Sequence, residues 1–212
     1  MALGDVERQR IARRAALEIK EGMTVNLGIG IPTLVADYIP AEQSVMFHAE
    51  NGILGVGPSP ETGKEDENLC NAGGFPVTLI PGASYFDSTL AFGMIRRGLI
   101  DLTILGALEV SEKGDLANWI VPGKKVPGMG GAIDLAQKSR RVIVLMNHTD
   151  GKGRPKIVST CSLPLTAPRC VHLIITERAV IEVQEDGLAL KEVLSPYSLQ
   201  EVVKATGAPL MY

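Results

Sequence analysis

Short apolar runs alternate with helical segments along most of this chain, and this alternation limits the fold more than any other feature. Runs rich in Val, Ile and Leu predict strands at 24–27, 45–47, 77–80, 102–105, 142–146 and 173–176. Capping residues and apolar periodicity predict helices at about 6–21, 32–38, 88–97, from 132, and at 198–206. Strands that are apolar on both sides and joined through helices form parallel sheets between helical layers. We therefore predict an α/β fold with a mostly parallel sheet covered by helices on both faces.

The composition fits a single domain of residues 1–212, because 45% of the residues are hydrophobic and 21% are charged. The formal net charge of -3 gives no electrostatic reason to bind nucleic acid or an anionic membrane. No secretory signal or membrane-spanning stretch is recognisable, so we expect a soluble, cytoplasmic protein. Three cysteines without metal-ligand spacing predict reduced core thiols.

Glu50 follows the apolar run 45–47 and directly precedes Asn51 and Gly52, which tolerate positive φ. The end of a strand in a parallel sheet faces the ligand crevice, and a carboxylate there is ionised at neutral pH and available as a nucleophile. The alternative is a solvated glutamate, because Asn-Gly is also the strongest short signal for a hairpin turn. From the residue types alone, the solvated turn is the favoured interpretation.

A second candidate region follows the first strand. Gly28 and Gly30 would let a ligand approach the backbone, free N–H groups at the following helix start favour an anion, and Asn26 could bond an acyl carbonyl or carboxylate. The alternative for Asn26 is the closure of a local turn. A dinucleotide-binding fingerprint would need a third glycine where Thr33 stands, so that pattern is incomplete.

The segment 114–133 is predicted to be an active-site loop. It contains Asn118 beside the only tryptophan, and ends in a glycine cluster before a predicted helix. Backbone N–H groups of Gly130 or Gly131 could donate to a tetrahedral oxyanion, although glycines that serve only the turn are the equal alternative. The three histidines, at 48, 148 and 172, are too scattered to predict a zinc site or a catalytic triad.

Residues 47–55 (Phe-His-Ala-Glu-Asn-Gly-Ile-Leu-Gly) closely resemble the active-site signature of 3-oxoacid CoA-transferase β subunits, in which the glutamate is the nucleophile. The runs 25–32, 81–88, 114–124 and 128–132 are similar to that family in the same order and spacing. The resemblance therefore covers nearly the whole chain. The signature usually has Ser where this chain has Ala49, a departure that concerns the acyl preference rather than the reaction type.

The resemblance implies CoA transfer between an acyl-CoA and a short carboxylate or 3-oxoacid, with ping-pong kinetics and a glutamyl-CoA thioester on Glu50. It also implies an oxyanion contact from Gly131. Further substrate or CoA contacts are predicted at Asn26, Gly28, Gly30, Asn51, Asn118 and Gly130. Neither a metal nor a permanently bound cofactor is expected, since CoA enters as a substrate.

The resemblance further implies a distinct α subunit as partner, in an expected α2β2 assembly, because this chain covers only the half that contains the glutamate. Two alternatives of other classes remain open at this stage. One is a nucleotide-binding, dehydrogenase-like domain, and the other is a non-catalytic regulator that binds CoA or acyl groups.

Overall fold

The computed structural model describes residues 4–123 and 128–212. The strands are β1 Thr24–Leu27, β2 Met46–Ala49, β3 Ile53–Val56, β4 Leu79–Tyr85, β5 Leu102–Gly106, β6 Glu109–Ser111, β7 Leu116–Ala117, β8 Arg141–Leu145, β9 Ile157–Val158, β10 Leu173–Ile175, β11 Ala179–Gln184, β12 Gly187–Val193 and β13 Leu210–Met211. The helices are α1 Asp5–Ala16, a 3-10 helix Ile31–Tyr38, α2 Ser88–Arg96, α3 Ala132–Lys138 and α4 Leu199–Ala205.

In this part of the chain one large sheet has the strand order β13-β12-β11-β10-β8-β5-β1-β2-β3-β4. Its centre, from β10 to β2, is entirely parallel. Antiparallel strands extend it on both sides, β3 and β4 beyond β2 and β11 and β12 beyond β10. Short strands β6, β7 and β9 form a separate small sheet. The predicted α/β fold with a mostly parallel sheet is confirmed.

Helices cover both faces of the sheet, as predicted. One face packs against α1 and the 3-10 helix, where Ile11, Val25 and Ile104 belong to one buried cluster. The opposite face packs against α2 and α3, and a second cluster there includes Ile95 and Leu135. Alternate residues of the central strands supply the two clusters, because successive side chains of a strand point to opposite faces.

The first helix differs from its prediction at both ends. Its N-cap is Gly4, and Asp5 lies inside the first turn, where its carboxylate still suits the positive end of the helix dipole. The helix ends at Ala16 rather than near Gly22. Ile19 is nevertheless buried beyond the helix end, so the apolar spacing that suggested a longer helix reflects core packing of a turn.

Two other predictions need correction, and one element was not predicted. The strand expected at 77–80 lies at Leu79–Tyr85 (β4) and continues through Pro81. It is an edge strand, where the missing backbone donor of a proline is tolerated. Cys70 is exposed, so it is not a core thiol. The small sheet was not predicted, because strands of two or three residues are too short to show a periodic pattern.

The polar connection between β3 and β4 is irregular as expected, and residues 61–68 are all exposed.

Candidate active site

Glu50 lies in the turn that joins β2 to β3, at the point where the parallel part of the sheet meets its antiparallel extension. The turn is closed by the Gly52 N–H, which donates to Ala49 O at 3.0 Å. Gly52 has φ +112, and a Cβ there would lie 2.0 Å from Phe86 O, so only glycine fits. The hairpin interpretation is thus correct for the local backbone, and it fixes Glu50 at a strand end.

Asn26 connects Glu50 to the centre of the sheet. Its Nδ2 donates to Glu50 Oε2 at 3.1 Å and to the backbone oxygen of His48, also at 3.1 Å. Asn26 is almost completely buried, whereas Glu50 is half-buried. A buried amide donor therefore holds one oxygen of the carboxylate of a partly exposed residue.

Gly131 faces the other carboxylate oxygen. A Cβ built on Gly131 would lie 3.5 Å from Glu50 Oε1 and 3.3 Å from two ring carbons of Phe92. Gly131 is the N-cap residue of α3, and no residue of 4–123 or 128–212 accepts a hydrogen bond from its N–H. The neighbouring Gly130 is exposed, with φ +51 and open space around its Cα. The two predicted catalytic residues, Glu50 and Gly131, are thus neighbours in space.

The glycine turn after β1 matches its prediction only in part. The Gly28 N–H donates to Ile104 O at 2.8 Å, so this amide is already used by the fold and is not a free anion donor. Gly28 is also close-packed, since a Cβ would lie 3.2 Å from that same oxygen. Gly30 is the N-cap residue of the 3-10 helix, with φ +95, and an added Cβ would meet nothing within 4 Å, so it retains the predicted room for a ligand.

The two other predicted contacts, Asn51 and Asn118, are bonded to the protein itself. The Asn51 amide donates to Cys70 O at 2.8 Å and so ties the turn to the loop after β3. The Asn118 amide donates to Gly106 O at 3.2 Å, and its oxygen accepts from Thr166 Oγ1 at 2.7 Å. In the described structure neither side chain is hydrogen-bonded to Glu50. Both stay predictions as substrate contacts.

The sequence analysis missed His48, which lies beside Asn26 with only 3% of its surface exposed. His48 Nδ1 is 3.3 Å from Asn26 Nδ2, and its ring stacks on Phe86 with centroids 6.2 Å apart. Burial lowers the pKa of His48, although the Glu50 carboxylate acts in the opposite direction. One signal was available: a histidine within an apolar strand, two residues before a candidate nucleophile, faces the same side of the sheet.

The described ranges contain no cluster of three or more His, Cys, Asp or Glu side chains arranged to hold a metal ion. Likewise, no helix within residues 4–123 and 128–212 is sufficiently long and apolar to cross a membrane.

The site thus consists of a strand-end glutamate on a mostly parallel α/β sheet, held by a buried amide and faced by a glycine. Residues 8–206 match the coenzyme A transferase family. The chain belongs to this family, and the prediction of a CoA-transferase is confirmed. The match also removes support from the dehydrogenase-like alternative, whose glycine fingerprint was incomplete.

Individual relatives are consistent with the family assignment. The chain is 60% identical to a probable coenzyme A transferase subunit beta of Bacillus subtilis, over 99% of this chain and 97% of that protein. It is 53% identical to the mitochondrial succinyl-CoA:3-ketoacid coenzyme A transferase 2A of Rattus norvegicus, over 96% of this chain but 39% of that protein. An acyl-CoA transferase of Escherichia coli O157:H7 shares the fold, with a TM-score of 0.77 at 24% identity, over 100% of this chain and 44% of that one.

Proposed function

We propose that this chain is the glutamate-bearing subunit of a CoA-transferase that acts through a covalent glutamyl-CoA thioester on Glu50. The observation that carries the proposal is the placement of the Glu50 carboxylate, with Oε2 bonded to Asn26 and Oε1 facing Gly131. A carboxylate that is held at one oxygen and accepts no hydrogen bond from the described residues at the other suits a nucleophile that must attack from a defined direction.

The first half-reaction has two attacks. Glu50 Oε1 attacks the thioester carbon of the donor acyl-CoA, the C–S bond breaks, and CoA leaves as a thiolate from a mixed anhydride. The thiolate then attacks Cδ of Glu50, the anhydride C–O bond breaks, and the donor acid leaves as a carboxylate. An acceptor carboxylate runs the same steps in reverse, so free Glu50 is regenerated and no proton is consumed overall.

The two neighbours of Glu50 serve different attacks in this scheme. When Oε1 attacks the acyl carbon, the negative charge develops on the acyl oxygen, for which the Gly131 N–H is the proposed donor. When the thiolate attacks Cδ, the charge develops on Oε2, which the Asn26 amide already holds at 3.1 Å. Each tetrahedral intermediate therefore has its own donor, and the donor for the second one is present before substrate binds.

The remaining assignments follow the relatives. We propose a short carboxylate or 3-oxoacid acceptor, in line with the succinyl-CoA:3-ketoacid specificity in the name of the rat relative. That relative is much longer than this chain, and the Bacillus relative is called subunit beta, so we propose a separate α subunit as partner in an α2β2 assembly. Residues 1–212 would form one β-subunit domain in the cytoplasm, with CoA as a substrate and without a resident cofactor.

The proposed substrate contacts differ in whether their groups are free or already bonded to the protein. Asn26, Gly30 and Gly130 have the exposure or the hydrogen-bond donors that a ligand needs. Gly28 would contribute close backbone approach rather than its N–H. Asn51 and Asn118 would have to exchange or share their bonds to the protein when substrate binds.

Trapping of the intermediate tests the proposal. The assembled enzyme is incubated with succinyl-CoA and no acceptor, then reduced with borohydride, which converts a thioester, but not a carboxylate, into an alcohol. We expect inactivation only when succinyl-CoA was present, with the mass change on the peptide that contains Glu50. Glu50→Gln should bind CoA without an adduct, which also separates a transferase from a regulator that merely binds CoA. Glu50→Asp withdraws the carboxylate by one methylene and should lower kcat roughly 10²-fold.

The proposal fails if the Glu50→Ala enzyme turns over substantially or if the adduct maps to another residue. It also fails if acyl-CoA leaves no covalent mark on a correctly assembled wild-type enzyme.

A further inference from the structure

Three polar side chains form a buried row across neighbouring strands. Thr103 on β5, Asn26 on β1 and His48 on β2 are in-register partners, so they lie side by side on one face of the sheet. Each is at most 3% exposed. The row lies on the face covered by α2 and α3, because the alternate residues of these strands pack on the α1 side. We call Thr103, Asn26 and His48 the polar row.

The acceptors around the Asn26 side chain determine how its amide is oriented. Its Nδ2 has two hydrogens and lies 3.1 Å from His48 O, 3.1 Å from Glu50 Oε2 and 3.3 Å from His48 Nδ1, so the third acceptor must share a hydrogen with one of the other two. Its Oδ1 is buried without a hydrogen-bond partner among the described residues. With the amide reversed, Oδ1 would face the carbonyl oxygen of His48 and the carboxylate of Glu50, which both repel it. The amide therefore points its N–H groups toward Glu50.

The ring of His48 supports this orientation in only one of its states. Nδ1 accepts from Asn26 only when it carries no proton. A neutral ring then carries its proton on Nε2, which is buried without a hydrogen-bond partner among the described residues. A proton on Nδ1 would face the Asn26 N–H groups and remove this acceptor from the amide. Burial favours the neutral ring, in agreement with the lowered pKa of His48. Glu50 is the charged group that acts on His48 from the turn after β2, while β1 and α2 present the neutral Asn26 side chain and the Ala91 backbone.

We propose that His48 is a positioning residue for CoA transfer: its unprotonated Nδ1 is a further acceptor that helps to hold the Asn26 amide, and the Asn26 amide holds Glu50 Oε2. This inference rests on the proposed function of Glu50 as nucleophile. Among the described residues the His48 ring is hydrogen-bonded to Asn26 and not to Glu50, so its effect is transmitted by Asn26. Because Asn26 is the donor at Oε2, the effect falls on the attack of the thiolate on Cδ.

Two substitutions at His48 separate positioning from packing. In His48→Asn, Oδ1 takes the place of Nδ1 and keeps the acceptor, although the shorter side chain leaves a larger cavity. In His48→Gln, the side chain is closer in size to His but has no acceptor at the Nδ1 position. A positioning role predicts near-normal turnover for the smaller Asn and a loss for Gln, whereas a packing role predicts the opposite order.

We expect kcat of the assembled His48→Gln enzyme to fall about tenfold with little change in KM, the loss typical of one hydrogen bond of ordinary strength. His48→Asn should stay within about threefold of wild type by the same reasoning. Thr103→Val is the matched control, because Thr103 flanks Asn26 on the other side, is equally buried, and has a hydroxyl without a described partner. Its turnover should be unchanged.

A spectroscopic measurement tests the state of the ring independently of turnover. The chain has three histidines, so the ring nitrogens of His48 can be assigned in a ¹⁵N-histidine-labelled sample by comparison with His48→Asn. We expect the shift pattern of a neutral ring protonated at Nε2 at pH 7 in wild type, and the same pattern in Thr103→Val.

The outcomes separate this inference from the proposed function. If His48→Asn loses as much turnover as His48→Gln, or if the ring is protonated at Nδ1, the positioning role is refuted while the Glu50 adduct in wild type still supports the transferase mechanism. If wild type forms no adduct, the transferase mechanism is refuted, and the ring state still decides whether His48 orients Asn26.

Discussion

Replacement of Gly131 by alanine tests the space beside the nucleophile with the least disturbance of the fold. Gly131 has φ -78 and ψ 2, which alanine adopts freely, so the backbone is not strained. The added methyl carbon would lie 3.5 Å from Glu50 Oε1, an ordinary contact, and 3.3 Å from the Phe92 ring, which must move by a few tenths of an ångström. A stability change of no more than about 1 kcal/mol is expected from these contacts.

The effect on catalysis should be much larger than the effect on stability. A reacting acyl carbon must come within roughly 3–3.5 Å of the attacking oxygen, and the methyl group occupies that distance on the Gly131 side of Oε1. A displacement of the acyl group by about 1 Å is associated with a loss of roughly 10²-fold in rate, or about 2.7 kcal/mol of activation free energy. Gly131→Val, with two further carbons at this point, should lose at least as much.

The assay compares kcat/KM of assembled Gly131→Ala with the midpoint of its urea denaturation. Gly93→Ala is the matched control, because Gly93 lies in α2 next to Phe92 and an added Cβ there meets nothing within 4 Å. It should keep wild-type turnover and gain up to about 1 kcal/mol of stability. Wild-type turnover in Gly131→Ala would mean that this glycine serves only the turn before α3.

Three further predictions concern assembly and stability. The purified chain alone should not turn over and should form a stable complex with its α subunit; full activity of the isolated chain would contradict the proposed assembly. Gly52→Ala should lower the free energy of unfolding by at least about 2 kcal/mol, because its Cβ would lie 2.0 Å from Phe86 O. Gly82 also has a positive φ, but an added Cβ there lies in open space, so Gly82→Ala should lower the free energy of unfolding by only about 1 kcal/mol. The pKa of His148 is lowered to about 4, mainly by burial and further by Arg178. Between this value and about 6.5 the unfolded chain binds more protons than the folded chain, so the free energy of unfolding should fall by about 3 kcal/mol as the pH drops over this range. An equally steep loss in urea melts of His148→Gln would exclude this cause.

The fold was predictable because its central strands are apolar on both sides and follow one another through helices. The same rule could not give the lengths of α1 or β4. Ile19 is buried by a turn rather than by the helix that its spacing suggested, and Pro81 is tolerated only because β4 is an edge strand. Both outcomes depend on tertiary neighbours that local periodicity does not contain.

The candidate site was predictable where a single segment defines it and not where strands combine. The place of Glu50 at a strand end follows from the apolar run and the Asn-Gly turn that surround it in sequence, whereas its role as nucleophile is predicted from the family resemblance. The relation of His48 to Asn26 depends on the parallel register of β1 and β2, which brings residues 22 positions apart into contact. The use of the Gly28 N–H by Ile104 likewise depends on the pairing of β1 with β5.

The irregular connection between β3 and β4 gives a place to modify this protein without moving its nucleophile. Its two ends are held by the pairing of Val56 with Leu79, and residues 61–68 are exposed throughout. The entropy of closing a flexible loop grows slowly, by about 0.6 kcal/mol for each doubling of its length. A peptide tag or a small folded reporter inserted next to Gly63 would therefore be carried on the outside of the sheet edge, with the Glu50 turn held by its own hydrogen bonds.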